Sequence, residues 1–130
     1  MKLKLLAMAG LLAASALAKP VFITHPGVVL DKGTAEKILE GRVKSLPDGS
    51  SYTLGVTYFD DESTDQNIKG LTGKSAKRIK SVWTKLQFSG KGVMPTEFGS
   101  QAELVEWVAS TDGAIAVVDD AHVTSNVNVL

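Results

Sequence analysis

The chain has 130 residues, with 14 basic and 14 acidic side chains, so its formal net charge is zero. This balance excludes a strongly basic domain that collects phosphates along a nucleic acid. The sequence contains no cysteine, which excludes a disulfide scaffold and a zinc site built on thiolates. Because 44% of the residues are hydrophobic and the net charge is low, the composition is that of a folded protein and not of a disordered one.

The first 18 residues have the organisation of a secretory signal peptide. Lys2 and Lys4 precede an uncharged apolar stretch over residues 5–18, which ends in the triplet Ala-Leu-Ala at residues 16–18. As a helix this stretch reaches about 21 Å, less than the roughly 30 Å of a bilayer core, so we expect no membrane span. The alternative is a buried N-terminal helix. We expect cleavage after Ala18 and a mature domain over residues 19–130 in the periplasm or outside the cell.

Strand and helix signals alternate along this mature chain. Stretches of β-branched and other apolar residues bounded by turn residues predict four strands, over residues 21–24, 51–59, 114–118 and 127–130. Helical spacing of apolar residues predicts four helices, one after Asp31, one after the acidic turn at residues 60–65, one over 75–88 and one after Ser100. Residues 90–99 have the composition of a loop. The order predicts a small α/β domain, a mixed sheet flanked by helices.

The charges are unevenly distributed along the chain. Seven basic residues and no acidic residue lie between Asp65 and Glu97, whereas the rest of the mature chain has a net charge of −9. Four of these basic residues are predicted to share one helical stripe opposite Trp83, namely Lys74, Lys77, Arg78 and Lys85. This stripe has two interpretations, a surface that binds an anionic partner and an ordinary solvated helix face.

The sequence offers one candidate ligand site and no catalytic one. Ser63 and Thr64 form a hydroxyl pair at a strand-to-helix junction, where helix N–H groups can bind an anion; the alternative is that they only cap the helix. His25 and His122 lie far apart in the sequence without a third ligand at metal-site spacing. No nucleophile and base pair is recognisable, so we expect no enzyme, no metal and no cofactor.

Five short blocks occur in an order that resembles a known family. They are Ile-Leu-Glu-Gly-Arg at residues 38–42, Leu-Pro-Asp-Gly at 46–49, Trp-Thr-Lys-Leu-Gln-Phe-Ser-Gly-Lys-Gly at 83–92 followed by Pro95, Gly-Ala-Ile-Ala-Val-Val at 113–118 and Val-Asn-Val-Leu at 127–130. In this order the blocks resemble the substrate-binding proteins of phosphate ABC transporters, in a small stand-alone periplasmic-binding-protein-like (PBP-like) form.

The resemblance implies a single PBP-like lobe with a periplasmic location and a transporter or sensor protein as partner. It further implies binding of phosphate or a related small anion, with Ser63 and Thr64 at the position of the family's anion-binding hydroxyls. A lone lobe leaves an anion half solvated, so a homodimer or another protein is expected to close over it.

The turn before Ser63 supports an alternative function. The family has an Arg there, whereas this chain has Asp60, Asp61 and Glu62 and no Arg near Tyr58. At an effective dielectric constant of 20, one charge at 4 Å contributes about 4 kcal/mol, enough for these acids to oppose a bound anion. The alternative is therefore a non-catalytic periplasmic protein-interaction module that has lost the anion pocket.

Overall fold

A computed structural model describes residues 18–130 of the protein as nine helices and strands and one 3-10 turn. In chain order these are β1 (Pro20–Thr24), α1 (Lys32–Leu39), β2 (Thr53–Thr57), α2 (Glu62–Thr72), α3 (Ala76–Phe88), β3 (Thr96–Phe98), α4 (Gln101–Ser110), β4 (Ala114–Asp119), the 3-10 turn (Asp120–His122) and β5 (Asn128–Val129). Residues 1–17 of the expected signal peptide lie outside the described residues.

The strands form one mixed sheet in the order β3-β2-β4-β1-β5. Strand β2 runs parallel to both β3 and β4, whereas β1 is antiparallel to β4 and to β5. This sheet, flanked by four helices, confirms the predicted α/β class. Residues 90–99 were expected to form only a loop, and this is wrong over Thr96–Phe98, because three residues are too few to show a strand period in the sequence.

Side-chain caps begin three of the four helices where the sequence predicts them. The Asp31 carboxylate accepts a hydrogen bond from the Thr34 N–H at 3.3 Å, and the Ser75 and Ser100 hydroxyls accept from the third residue of their helices. Helix α1 ends before Gly41, whose φ of 74° favours glycine. A side chain at this position would also meet Leu86, so the chain leaves α1 in direct contact with α3.

The sheet is covered on both faces by buried apolar side chains. Helices α1, α2 and α3 cover one face, where the largest buried residues include Phe22, Ile38, Ile68 and Trp83. Helix α4 covers the other face with Leu104 and Val108, which pack with Ile23 and Val118. Phe22 and Ile23 are neighbours on β1 and enter different cores, as the alternation of a strand requires.

The blocks that carry the sequence resemblance hold α1 against α3. The Trp83 indole N–H donates to the Leu39 carbonyl at 2.7 Å, which joins the middle of α3 to the end of α1. Gly92 lies against the Trp83 ring, where an added Cβ would come within 3.1 Å. The 46–49 turn closes through a bond from the Gly49 N–H to the Leu46 carbonyl. The residues of these blocks therefore determine how α1, α3 and the 46–49 turn are packed.

Candidate functional site

The carboxyl ends of β2, β3 and β4 form one edge of the sheet. Helix α2 begins just after β2, and α4 begins just after β3, so both helix N-termini lie at this edge. In open α/β sheets, the crevice outside the carboxyl ends of the parallel strands is the usual ligand position. Ser63 and Thr64 lie in the first turn of α2, at the junction that the sequence predicts.

Helix α2 begins without a side-chain cap. Its N-cap residue is Asp61, whose carboxylate makes no capping hydrogen bond. The first N–H groups of a helix have no intrahelical acceptor, so those of Glu62 and Ser63 need another one. Ser63 itself is exposed, and its hydroxyl has no hydrogen bond among residues 18–130. The start of α2 therefore presents both backbone and hydroxyl donors to solvent.

Thr64 has a different environment from Ser63. It is only 3% exposed, and its hydroxyl lies 2.5 Å from the hydroxyl of Thr57 at the end of β2. One hydroxyl donates to the other in this pair, so the bond joins the strand to the first turn of α2. Of the two predicted ligand residues, Ser63 is presented to solvent and Thr64 is buried within the fold.

Acidic side chains line the end of the sheet at which this helix starts. We define the acidic edge as six exposed residues that lie at or beside the carboxyl ends of the parallel strands, Asp60, Asp61, Glu62, Glu97, Glu103 and Asp120. Glu97 belongs to β3 and accepts a hydrogen bond from the Phe59 N–H at 3.2 Å, which places its carboxylate beside the end of β2. The sequence shows the acids next to Ser63 but gives no signal that Glu97 joins them.

One cation reaches the acidic edge from another element. The ammonium group of Lys80, on α3, lies 3.9 Å from the Asp60 carboxylate. Both side chains are substantially exposed, so the pair contributes little to stability. It does place a positive charge beside the turn that lacks an Arg, and it shows that α3 borders the acidic edge. Nothing in the sequence spacing indicates this, because twenty residues separate the two side chains.

Asp119 anchors the end of β4 to the start of α4. Its carboxylate accepts from Gln101 at 3.0 Å and lies 2.7 Å from Nδ1 of His122, while its N–H donates to the Gln101 side chain. Burial alone would raise the pKa of Asp119, but the hydrogen bonds from His122 and Gln101 outweigh burial and lower that pKa below its ordinary value. These hydrogen bonds hold the end of β4 against the start of α4, and they occupy the Asp119 carboxylate.

The predicted basic stripe is partly revised by the structure. Helix α3 begins at Ala76, so the prediction that Lys74 shares its stripe is wrong, because Lys74 precedes the Ser75 cap. Lys74 instead pairs with Glu40, a side chain that is 5% exposed. A buried carboxylate requires such a partner, and Lys74 supplies it. The Lys74 ammonium group is therefore paired with a buried carboxylate and does not belong to the exposed stripe.

The other three residues of the stripe match the prediction. Lys77, Arg78 and Lys85 are exposed on α3, opposite the buried Ile79 and Trp83. Within the described part of the chain, none of the three has an acidic partner within 4 Å. They form an uncompensated cationic surface.

The histidines remain apart in the fold. His25 lies near Asp112 at the start of β4, and His122 pairs with Asp119 at the other end of that strand. Among residues 18–130 there is no group of three His, Asp or Glu side chains able to hold a metal ion. Over the same residues, no helix has the length and apolar character needed to cross a membrane.

Two clefts lie at the opposite end of β2 from Ser63. One, of about 330 Å³, lies between Trp83, Lys91 and the start of β2, and the other, of about 790 Å³, lies beside His25 and Asp112. Both include Thr53, the first residue of β2, and neither includes Ser63. The candidate ligand position therefore lies outside both clefts, at the other end of β2.

Comparison with known proteins identifies similar structures. No protein-family model matches the sequence, and no curated protein matches it. The chain is similar to an ABC-type phosphate transport receptor from Vibrio cholerae, at 13% identity and a TM-score of 0.55, over 87% of this chain and 45% of the receptor. It is likewise similar to PstS from Borrelia burgdorferi, at 15% identity and a TM-score of 0.55, over 87% of this chain and 46% of PstS.

These comparisons establish the fold. At 13–15% identity the likeness concerns the arrangement of helices and strands, which is that of a PBP-like lobe. The chain spans less than half the length of either receptor.

Proposed function

We propose that this protein is a periplasmic, non-catalytic binding lobe that captures phosphate or a related oxyanion at the start of α2, for a transporter or a sensor protein. The donors are the Ser63 hydroxyl and the first N–H groups of α2. Thr64 supports them from below through its bond to Thr57. Export depends on the signal peptide expected over residues 1–18.

The uncapped start of α2 is the observation that carries this proposal. It lies at the carboxyl edge of a sheet whose fold is similar to that of phosphate receptors. Helix N-termini attract anions because their N–H groups and the helix dipole both point toward the ligand. At α1, α3 and α4 a side chain already occupies that position.

The acids beside Ser63 determine which oxyanions fit. Asp60, Asp61 and Glu62 accept hydrogen bonds but donate none when ionised. An oxyanion that keeps a proton near neutral pH, such as phosphate, can donate that proton to a carboxylate, whereas sulfate has none to donate and is only repelled. The proposal therefore includes a preference for phosphate over sulfate.

Isothermal titration of residues 19–130 tests the proposal. We expect heat with phosphate, less with sulfate, and loss of the phosphate signal in Ser63→Ala. Ser81→Ala is the matched control, because Ser81 is an exposed serine on α3 away from the helix start. An absence of heat at millimolar phosphate would sink the small-anion function.

The acidic edge itself favours a second candidate, a protein-interaction module that has lost the anion pocket. Exposed carboxylates at and beside the start of α2 would oppose any dianion approaching from solvent. The same titration separates the two functions, since this second candidate predicts no heat with any oxyanion and an intact fold.

A further inference from the structure

The outer face of α3 combines positive charge with an exposed aromatic ring. Lys77 and Phe88 lie on one line along the helix, because eleven residues make about three turns, and Arg78 and Lys85 lie on a neighbouring line, because seven residues make about two turns. The Phe88 side chain is 89% exposed. We call these four residues the basic face. A single exposed apolar residue is normal on a protein surface, so the unpaired positive charge, and not Phe88 alone, distinguishes this face.

The acidic edge of the same chain has the complementary composition. Its six carboxylates oppose the charge of the basic face, and Tyr58 lies among them with half of its surface exposed. The Tyr58 ring packs beside Gly99, so its orientation is supported from below. Aromatic rings attract Lys and Arg cations, and they are enriched at the centres of protein interfaces.

The helix that carries the basic face also borders the acidic edge. The ammonium group of Lys80 on α3 lies 3.9 Å from the Asp60 carboxylate. Adjacent complementary surfaces allow a closed twofold dimer, in which each copy uses both surfaces at once. An acidic membrane or a foreign acidic protein would use the basic face alone and leave the carboxylates uncompensated.

We propose that two copies associate about a twofold axis, with the basic face of each against the acidic edge of the other. The second copy then supplies Lys77, Arg78 and Lys85 as the cations that the start of α2 lacks. This second part rests on the proposed function, because it assigns those cations to the oxyanion held at Ser63. The dimer also covers Phe88 and Tyr58.

Sedimentation velocity in low-salt, phosphate-free buffer tests the dimer with two charge-reversed variants. Lys77→Glu with Lys85→Glu reverses the basic face, and Asp61→Lys with Glu62→Lys reverses the acidic edge. We expect the unmodified protein to dimerise at concentrations up to about 0.5 mM, as a weak interface would. Each variant alone is expected to be monomeric there, because like charges then face each other.

Mixing the two variants gives the decisive measurement. In a mixed dimer, the acidic helix face of one variant meets the basic edge of the other, and the second contact is unmodified. We therefore expect the equimolar mixture to dimerise like the original protein. Salt should weaken both dimers by about tenfold or more between 50 and 500 mM, since exposed charges are screened.

Three outcomes contradict the dimer. The first is that the unmodified protein is monomeric, and the second is that both charge-reversed variants still dimerise. The third is that the mixture stays monomeric although circular dichroism shows both variants to be folded. Lys32→Glu with Lys37→Glu on α1 is the matched control and should leave dimerisation unchanged. Titration with phosphate separates the two proposals, because dimerisation without heat supports the interface and removes the oxyanion function.

Discussion

The region around Trp83 matches the motifs of the family that the sequence resembles, whereas the acidic edge around Ser63 departs from them. Trp83 is 3% exposed and bonded to Leu39, and the glycines at 41 and 92 are packed against α3. At the acidic edge, exposed carboxylates occupy the turn where the resembled family has an Arg. Buried residues are constrained by volume on every side, whereas an exposed turn can change its charge without disturbing the fold. Similarity in the packed region therefore predicts the lobe and leaves the ligand to be tested.

The strongest test of this difference is Trp83→Ala. The change removes a buried indole and leaves the Leu39 carbonyl without its donor, so we expect a loss of about 3 to 5 kcal/mol of unfolding free energy. Urea unfolding measures this loss. Phe88→Ala on the same helix is the control, and it should change the stability by less than about 0.5 kcal/mol because Phe88 is exposed. Equal losses in both variants would contradict the described packing of α3.

The next test addresses the packing of β2 beneath the acidic edge. A methyl group at Gly55 would lie 2.5 Å from the Trp107 ring and 2.7 Å from Leu104, so Gly55→Ala should cost about 2 kcal/mol. In Gly33→Ala the new methyl group meets only the Asp31 carboxylate at an ordinary 3.5 Å. That control should be neutral or stabilising by about 0.5 kcal/mol. Thermal unfolding compares the two variants.

A third test separates the roles of the Ser63 and Thr64 hydroxyls at the start of α2. Thr64→Val leaves the buried Thr57 hydroxyl without its partner, so we expect a loss of about 1 kcal/mol in urea unfolding. Ser63→Ala should leave stability unchanged and abolish the phosphate heat. A Thr64→Val variant of unchanged stability, or a destabilised Ser63→Ala variant, would contradict the roles that the structure gives these two residues.

The smallest expected effect is the acid dependence of the edge. The pKa of Asp119 is lowered in the folded state, so its ionised form stabilises the fold above about pH 4, the ordinary pKa of an aspartate. This contribution should disappear as the pH falls through the folded-state pKa. Urea unfolding at pH 6 and at pH 3 measures it. In Asp119→Asn the difference between the two pH values should be reduced, whereas Asp112→Asn, an exposed control, should leave it unchanged.

Sequence patterns predict the elements better than they predict the edge. The helix starts at Asp31, Ser75 and Ser100 follow from local capping chemistry, which depends on residues only three positions apart. The placement of Lys74 against Glu40 depends on how α1 packs against the end of α2, which no local spacing reports.

The same reason applies to the candidate site. Ser63 is where the junction predicts it, yet the burial of Thr64 follows from the position of Thr57 on β2. The approach of Lys80 to Asp60 likewise depends on how α3 packs beside the turn that precedes α2. Both depend on how β2, α2 and α3 pack in three dimensions, which the local spacing of a single sequence does not report.

The position of β1 in the sheet has a consequence for the order of folding. This strand is the first element described, but both of its sheet neighbours, β4 and β5, lie within residues 114–130. Closing a loop between segments so far apart in the sequence has a high entropic cost, and sheets dominated by such distant pairings fold in milliseconds to seconds. Pro20–Thr24 consequently remains without strand partners until nearly the whole chain is available. In the export we propose, that delay keeps the segment behind the leader free of sheet partners while it crosses the membrane.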